Sequence, residues 1–324
     1  MAKLNLVGDI GGTNSRFGLV APGSMEVTRI EKLKNDDFGS LEDVARAYLD
    51  SQGIKQLGST AVDVAGIVTE EDFPLTNRDW IISRSKLKAA LKTDRLLILN
   101  DFQALAMSLP HLAAADLIQI GGQAPSKPSV KLVLGPGTGL GMASLAPLPK
   151  GGWMALPGEL GHVTLPVVTQ EEFDLREAMS QPGVVFESEF AITGGGLHLI
   201  YQTLARLGGR KPELATPEAI LQAALAGSDA DAVRTLDHFI IWLGRLAGDA
   251  AMMMQAHGGV YLAGGITPSI VGELKKGPFR HVFEEKGRLD LKHVPLYVIM
   301  DEYPAFKGCV AALYPLSPEG ARVN

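Results

Sequence analysis

The chain has 324 residues, of which 46% are hydrophobic, and a formal net charge of −6 at pH 7. This length suits two domains or one large one, and the apolar share is ample for a core. The acidic balance, with scattered Lys and Arg, argues against a nucleic-acid binder, which usually displays a basic stripe. The single cysteine, Cys309, excludes an internal disulfide framework and a multi-cysteine metal site, and it fits a cytoplasmic location. We expect no signal peptide and no membrane span, because no apolar stretch reaches about 18 residues without polar interruption.

Strand-like and helix-like patterns alternate along the chain, which indicates an α/β fold. The strand-like runs are 4–10, 15–20, 60–66, 95–99, 130–135, 139–145, 259–263 and 295–300. The helical patterns are 40–51, 84–92, 101–109, 170–180, 195–207, 217–226 and 229–256. The longest of these, 229–256, is expected to end at a cap formed by Gly258-Gly259.

The first chemical signal is the turn Asp9-Ile10-Gly11-Gly12-Thr13-Asn14, between two apolar runs. Adjacent glycines let a backbone approach a bulky anion, and successive N–H groups in such a turn can form an anion-binding nest. Asp9 would repel a phosphate unless a metal cation lay between them. The turn therefore indicates Mg-nucleotide binding.

A second turn, Gly135-Pro136-Gly137-Thr138-Gly139-Leu140-Gly141, echoes the first. It can point N–H groups and the Thr138 hydroxyl at a phosphate. It lacks the Gly-Lys-Ser/Thr of a Walker A loop and the glycine spacing of the dinucleotide pattern. The pair suggests two related domains that each contribute a phosphate-binding hairpin to a cleft. Two ordinary hairpins with tight glycine bends are the alternative.

The third signal is Asn100-Asp101, where an apolar strand ends and a helix begins. Ligands of α/β proteins bind beyond the carboxyl ends of strands. The helix N-terminus favours an ionised Asp101, which could accept a proton from an attacking hydroxyl. The alternative is a simple N-cap role for either residue.

Three further segments carry polar or glycine-rich turns. Glu159 and His162 are spaced to contact the hydroxyls of one polar ligand, although such a pair is more often a surface or cap feature. Glu189 precedes a triple glycine at 194–196, which is either a nucleotide contact or a plain helix start. The turn 263–266 could let the backbone meet an adenine face, or it is only a strand end.

Taken together, the motifs resemble the bacterial glucokinase family, the ATP-dependent group within the sugar kinase, hsp70 and actin superfamily. The resemblance runs from about residue 4 to about residue 313. It rests on the following motifs: DIGGTN at 9–14, LTNRDW at 75–80, ILNDF at 98–102, GPGTGLG at 135–141, LPGELGH at 156–162 and AGGI at 263–266.

The resemblance implies a two-domain actin-like ATPase (ribonuclease H-like) fold with an inter-domain cleft. The smaller α/β domain would take residues 1–110 plus 301–324, and the larger would take 111–300. The implied activity is transfer of phosphate from Mg-ATP to the 6-hydroxyl of glucose, with no membrane or nucleic-acid partner and with a homodimeric state.

The resemblance also implies roles for residues of this chain. Asp101 is similar to the family's catalytic base, and Asp9 to the residue near Mg²⁺, acting through water. The sugar-binding positions match Asn100, Asp101, Glu159, His162 and Glu189. The nucleotide-binding positions match Asp9, Gly11, Gly12, Thr13, Asn14, Gly137, Thr138, Gly139, Gly264 and Gly265.

Three segments depart from the family's usual pattern: Thr193–Gly196, Leu160–His162 and Tyr303–Gly308. The single cysteine excludes the related repressor/kinase branch, whose zinc site is built on cysteines. The alternatives left open are a kinase of another hexose, a phosphate donor other than ATP, and a non-catalytic sugar-responsive regulator.

Overall fold

The structure is a computed structural model, and it describes residues 3–69, 72–76, 78–125 and 127–314. The chain forms two compact units. The first comprises residues 1–113, 145–157 and 301–324, and the second comprises residues 114–144 and 158–300, each within the described ranges. The domain partition expected from the resemblance stays a prediction.

The strands are β1 (Asn5–Ile10), β2 (Asn14–Val20), β3 (Val27–Lys34), β4 (Leu57–Val64), β5 (Phe73–Pro74), β6 (Ile81–Ile82), β7 (Thr93–Asn100), β8 (Leu117–Gly121), β9 (Lys131–Pro136), β10 (Leu140–Pro147), β11 (Trp153–Gly158), β12 (Val260–Leu262), β13 (Glu285–Lys286), β14 (Leu289–Asp290) and β15 (Leu296–Ile299). The helices are α1 (Leu41–Ser51), α2 (Arg84–Leu91), α3 (Asp101–Ser108), α4 (Gln170–Met179), α5 (Gly194–Leu207), α6 (Pro217–Ala226), α7 (Ala230–Met254), α8 (Val271–Leu274), α9 (Pro278–Glu284) and α10 (Pro304–Leu313).

The first unit is built on a five-stranded sheet with the order β3-β2-β1-β4-β7. β4 lies parallel to both β1 and β7, so the carboxyl ends of these three strands share one edge. In the register, Asp9 of β1 lies opposite Asp63 of β4, and Val64 lies opposite Asn100 of β7. This register brings the Asp9–Asn14 turn and the Asn100-Asp101 pair to the same edge.

The second unit is built on β9, β12, β15, β8 and the first part of β10, which belong to a sheet with the order β11-β10-β9-β12-β15-β8. β12 is parallel to β9 and to β15, so the turns that follow Pro136 and Leu262 leave the same edge. The apolar face of α7 packs into the core beside this sheet, where Phe239, Trp242 and Leu243 are fully buried. Burial of each of these side chains contributes about 2 kcal/mol to the free energy of unfolding. This packing stabilises the sheet from which the two turns extend.

The predicted helices and strands are present, with one wrong helix end. α7 stops at Met254, and Gln255 adopts the left-handed conformation at φ 52° and caps the helix. The predicted cap at Gly258-Gly259 is wrong, because these glycines lie in the turn between α7 and β12. Gly258 N–H donates to Val130 O at 2.8 Å, and Gly259 has φ +114°. Within the described ranges, no helix combines the length and apolarity needed to cross a bilayer.

Candidate active site

The first turn follows β1 and is held from inside the first unit. Gly11 N–H donates to Asn14 O at 3.0 Å. The carbonyls of Gly11 and Gly12 accept hydrogen bonds from the side-chain amide of Asn35, at 2.8 and 3.2 Å. Thr13 is exposed at the tip of the turn. A glycine turn with its carbonyls held inward and its tip in solvent is suited to an anion.

Asp9 forms an ion pair with Arg16 across the β1–β2 hairpin, with Arg16 Nη1 2.9 Å from Asp9 Oδ2. Burial raises the pKa of Asp9, and the Arg16 guanidinium limits that rise. Among the described residues, no cluster of three or more His, Cys, Asp or Glu side chains is arranged to hold a metal. Asp9 is a single carboxylate, and one of its oxygens is already paired with Arg16. This arrangement fits a Mg²⁺ ion bound through water, because Mg²⁺ keeps several of its own waters.

Asn100 and Asp101 occupy the junction of β7 and α3. Asn100 Oδ1 accepts from Gln103 N–H at 3.1 Å, so the predicted N-cap alternative is confirmed for Asn100. Its amide also donates to Gly66 O at 3.0 Å. Asp101 is the first residue of α3, and its Oδ1 accepts from Phe102 N–H at 2.9 Å.

Burial raises the pKa of Asp101 to about 6, with a further rise from the Asp9 charge, although the Phe102 N–H favours the ionised form. Burial therefore opposes the effect of the helix N-terminus, which was expected to favour the ionised form. Desolvation outweighs the backbone hydrogen bond and raises the pKa. With a pKa of about 6, the carboxylate form of Asp101 still predominates at pH 7, and the group can accept a proton.

A third carboxyl, Asp63, lies close to the other two and was not recognised from the sequence. It is 0% exposed, and its Oδ1 has no hydrogen-bond partner among the described residues. Its Oδ2 lies 3.4 Å from Cys309 Sγ, which can donate to it. Burial and the charges of Asp9 and Asp101 raise the pKa of Asp63 well above its usual range, which favours the neutral acid. An Asp inside an apolar strand has no sequence signature, and only the strand register shows that Asp63 faces Asp9.

In the second unit, the 135–141 turn contacts the turn after β12. Gly264 has φ +85°, and a Cβ there would lie 2.3 Å from Pro136 O. A Cβ on Gly135 would likewise lie 2.6 Å from the Ala263 carbonyl. Only glycine permits this approach at either position. The structure thus brings together the 135–141 turn and the 263–266 turn of the second unit, and Gly265 of the latter turn lies in open space.

The triple glycine joins this group of turns. Thr193 caps α5 by accepting from Gly196 N–H at 3.0 Å, so this segment does start a helix, and its contact with a nucleotide stays a prediction. Gly194 N–H also donates to Gly137 O at 3.0 Å, which ties the start of α5 to the second phosphate turn. Thr138 and Gly139 remain exposed at the tip of that turn.

Glu189 is positioned by the same turn. One carboxylate oxygen, Oε2, accepts from Leu140 N–H at 2.8 Å. A Cβ at Gly139 would lie 2.8 Å from this oxygen, and one at Gly161 would lie 3.1 Å from it. The glycines of two separate motifs therefore make room for one carboxylate, which links the GPGTGLG and LPGELGH segments physically.

His162 lies beside three glutamates. Its Nδ1 is 2.7 Å from Glu187 Oε2, and its Nε2 is 3.9 Å from Glu159 Oε2. The hydrogen bond to Glu187 is the main cause of a raised pKa of His162, and the charges of Glu189 and Glu159 add to it. The side chains of His162 and Glu159 are 57% and 64% exposed, and can therefore bind a polar ligand. Glu187 was not predicted as a site residue, although it stands two residues before Glu189.

The predicted site residues thus fall into two groups, one in each unit. Asp9, the first turn, Asn100 and Asp101 belong to the first unit. The second turn, Glu159, His162, Glu189 and the 264–265 turn belong to the second unit. Asn77, part of the LTNRDW motif, lies outside the described residues.

Comparison with protein families and curated proteins gives consistent matches. A family model described as Glucokinase matches residues 6–315. A glucokinase of Chromobacterium violaceum is 38% identical over 312 residues, which is 95% of this chain and 88% of that protein. A glucokinase of Nitrobacter hamburgensis is 38% identical over 322 residues, covering 98% of this chain and 99% of that protein.

Solved structures agree with these matches. A glucokinase from an Antarctic psychrotroph is similar with a TM-score of 0.86 and 29% identity, covering 97% of this chain and 99% of that one. A ROK family glucokinase from Streptomyces griseus, solved with glucose and AMPPNP, has a TM-score of 0.66 at 19% identity, covering 95% and 98%. At that identity the second likeness shows the fold alone. The predicted α/β class and actin-like ATPase fold are confirmed.

Proposed function

This chain belongs to the glucokinase family, and we propose that it transfers the γ-phosphate of ATP to the 6-hydroxyl of glucose, giving glucose 6-phosphate. The observation that carries the proposal is Asp101. It is a largely buried carboxyl with a pKa of about 6, at the edge where the first phosphate turn also lies. Phosphoryl transfer requires little covalent chemistry from the protein, so positioning and charge stabilisation dominate.

Asp101 acts as the general base. Its carboxylate accepts the proton of the sugar 6-hydroxyl as the oxygen attacks phosphorus. A pKa of about 6 suits this role, because the group is ionised at neutral pH and still retains useful basicity. The hydrogen bond from Phe102 N–H fixes one oxygen, which leaves the other to receive the proton.

The glycine turns bind the phosphates. Gly11, Gly12, Thr13 and Asn14 supply backbone N–H groups from the first unit, and Gly137, Thr138 and Gly139 do so from the second. Gly264 and Gly265 line the adenosine side. Mg²⁺, when bound through water near Asp9, would neutralise charge on the phosphate oxygens. Asp9 itself is held in place by Arg16.

The sugar hydroxyls bind to side chains that the structure leaves available. Asn100 uses its side-chain oxygen as the N-cap and donates from its amide to Gly66 O. A hydrogen bond from the same side chain also lowers the pKa of Asp101, so a sugar hydroxyl would share this second amide hydrogen with that carboxylate. Glu189 gives one oxygen to Leu140 N–H, and its second oxygen can accept from a hydroxyl. Glu159 and His162 add an exposed acceptor and an imidazole held by Glu187.

A coupled assay tests the proposal. Purified protein is given ATP and Mg²⁺ with glucose, mannose, fructose or an N-acetylated amino sugar in turn, and ADP formation and sugar phosphate are both measured. We expect the highest kcat/KM with glucose. A clear preference for another hexose would replace glucose as the substrate, and ATP turnover without any sugar phosphate would contradict the proposal. Replacing ATP by ADP or polyphosphate tests the donor.

Three finer features belong to the same proposal. We expect dependence on Mg²⁺, checked by adding a chelator to the assay. We expect a cytoplasmic location, where ATP is available and where the single buried thiol of Cys309 stays reduced. We expect a homodimer, as the family resemblance implies, checked by light scattering on the purified protein.

A further inference from the structure

Asn35, which follows β3, makes an unusual set of contacts with the first phosphate turn. It is 0% exposed. Its Nδ2 donates to Gly11 O at 2.8 Å and to Gly12 O at 3.2 Å, and its backbone N–H donates to Thr13 O at 3.0 Å. Three consecutive carbonyls of the turn are therefore bound by one residue that lies far away in the sequence.

The orientation of the Asn35 amide is determined by its partners. Carbonyl oxygens only accept, so the side that faces Gly11 and Gly12 must be the NH₂ group. The opposite side, Oδ1, accepts from Ser15 Oγ at 2.7 Å, and Ser15 is also 0% exposed. Arg78 completes the arrangement, because its Nη2 donates to Asn35 O at 2.6 Å.

The direction of the carbonyls decides the direction of the N–H groups. In a trans peptide the C=O and N–H bonds of one plane point to opposite sides, and the described chain contains no cis peptide. Because Gly11 O and Gly12 O point toward Asn35, the N–H groups of Gly12 and Thr13 point away from it. These two donors are the ones that the turn can offer to a phosphate oxygen.

We propose that Asn35 is a positioning residue that sets the phosphate-binding conformation of the first turn by holding the Gly11 and Gly12 carbonyls inward. The inference rests on the proposed function for the identity of the nucleotide, and it assigns to Asn35 no contact with substrate. Asparagine suits this place because it offers two donors to the carbonyls and one acceptor to Ser15, which an aspartate of the same shape cannot do.

The variant Asn35→Asp tests this role. A carboxylate would leave Gly11 O without its side-chain donor and Gly12 O with only the long 3.4 Å hydrogen bond from Arg78 Nη1. It would also repel both carbonyls, so the turn should lose its preferred conformation. We expect the Kd for Mg-AMPPNP, measured by calorimetry, and the KM for Mg-ATP to rise about tenfold or more. The KM for glucose should change less than about twofold. Unchanged nucleotide affinity in a folded variant would overturn the proposal.

A matched control and a milder variant complete the design. Asn5 is also buried, at 5% exposure, and lies at the opposite end of β1, where its side chain contacts Tyr314 and Ser59 N–H. Asn5→Asp should lower the melting temperature without raising the Kd for Mg-AMPPNP. An equal rise in that Kd would show that Asn35 has only a general structural role.

If Asn35→Asp does not fold, Ser15→Ala removes only the donor to Oδ1. We then expect a rise of a few-fold in the same Kd, and no rise would contradict the proposal. The binding measurement also separates this inference from the proposed function. A wild-type protein that binds Mg-AMPPNP but phosphorylates no sugar would contradict the function and leave the Asn35 test intact.

Discussion

The candidate site carboxyls of the two units lie in different environments. In the first unit, Asp9, Asp63 and Asp101 are desolvated by burial, and the pKa of each is raised. In the second unit, Glu159 is mostly exposed, and Glu187 and Glu189 are partly exposed. Their neighbours are a protonatable histidine and a backbone N–H. Desolvation raises the pKa of a carboxyl toward the range in which it can exchange a proton, whereas a solvent-accessible carboxylate can accept hydrogen bonds from the hydroxyls of a ligand.

The difference shows how the carboxyl group can serve two tasks in one protein. In the proposed mechanism, the buried Asp101 moves a proton, whereas the more exposed Glu159 and Glu189 only bind the sugar. The following experiments test that division, beginning with the residue for which it predicts the largest effect.

Asp101→Asn should lower kcat by about 10²-fold or more, because the amide cannot accept the hydroxyl proton. The KM values should change little.

The variant Asp101→Asn should also be more stable than the wild type, since the raised pKa of Asp101 reflects a cost of ionising a buried group. The rise from 3.8 to about 6 corresponds to up to about 3 kcal/mol in the free energy of unfolding at pH 7. Steady-state kinetics and urea denaturation measure the two effects. Near-normal kcat in a folded variant would remove Asp101 from the mechanism.

The pH dependence should follow the same carboxyl. Because only the ionised form accepts a proton, kcat/KM for glucose should fall about tenfold per pH unit below about pH 6.

The stability of the fold should change in the opposite direction with pH. A carboxyl whose pKa is higher in the folded chain binds more protons when folded, so its contribution to stability is present at low pH. That contribution is lost as pH rises through about 4 to 6. A value of kcat/KM that stays constant down to pH 5 would contradict the kinetic expectation. A free energy of unfolding that stays constant between pH 4 and pH 6 would contradict the expectation for stability.

Glu189→Gln should raise the KM for glucose about tenfold, with a smaller effect on kcat. The amide oxygen can still accept from Leu140 N–H, so the turn is kept while the charge that strengthens hydroxyl binding is lost. Glu159→Gln is the matched control at a more exposed position, where we expect a smaller rise in KM. A loss confined to kcat in Glu189→Gln would assign this residue to chemistry and not to binding.

Asp63→Asn should have the smallest effect. If the group is a neutral acid, an uncharged side chain of the same shape should leave kcat within about threefold of the wild-type value. The contact with Cys309 can persist, because the amide oxygen also accepts from the thiol. A 10²-fold loss of kcat would show that Asp63 is ionised in the working enzyme, and the assignment of Asp101 as the single base would then be wrong. The measurement is steady-state kinetics at a fixed pH near 7.5.

The motifs that could be predicted from the sequence are those whose glycines and polar residues lie within a few positions of one another. The Asp9–Asn14 turn, the 135–141 turn and the Asn100-Asp101 pair could be found because glycines and polar residues interrupt apolar strands. The cap of α7 was mispredicted because Gln255 takes a left-handed conformation that glycine usually provides. The short edge strand β8 was not predicted, because Leu117–Gly121 is only partly buried and has no strong alternation.

The sequence by itself determined the α/β class, the order of the turns and the candidate base, since these follow from local periodicity and from residue types at strand ends. Only the tertiary structure decided how burial and neighbouring charges raise the pKa of each of the three aspartates, and which residue holds the first turn. Asp63 faces Asp9 through the pairing of β1 with β4, and Asn35 reaches Gly11 from beyond β3. Both relations join residues distant in the chain, and the desolvation that sets a pKa comes from all the neighbours that folding brings together.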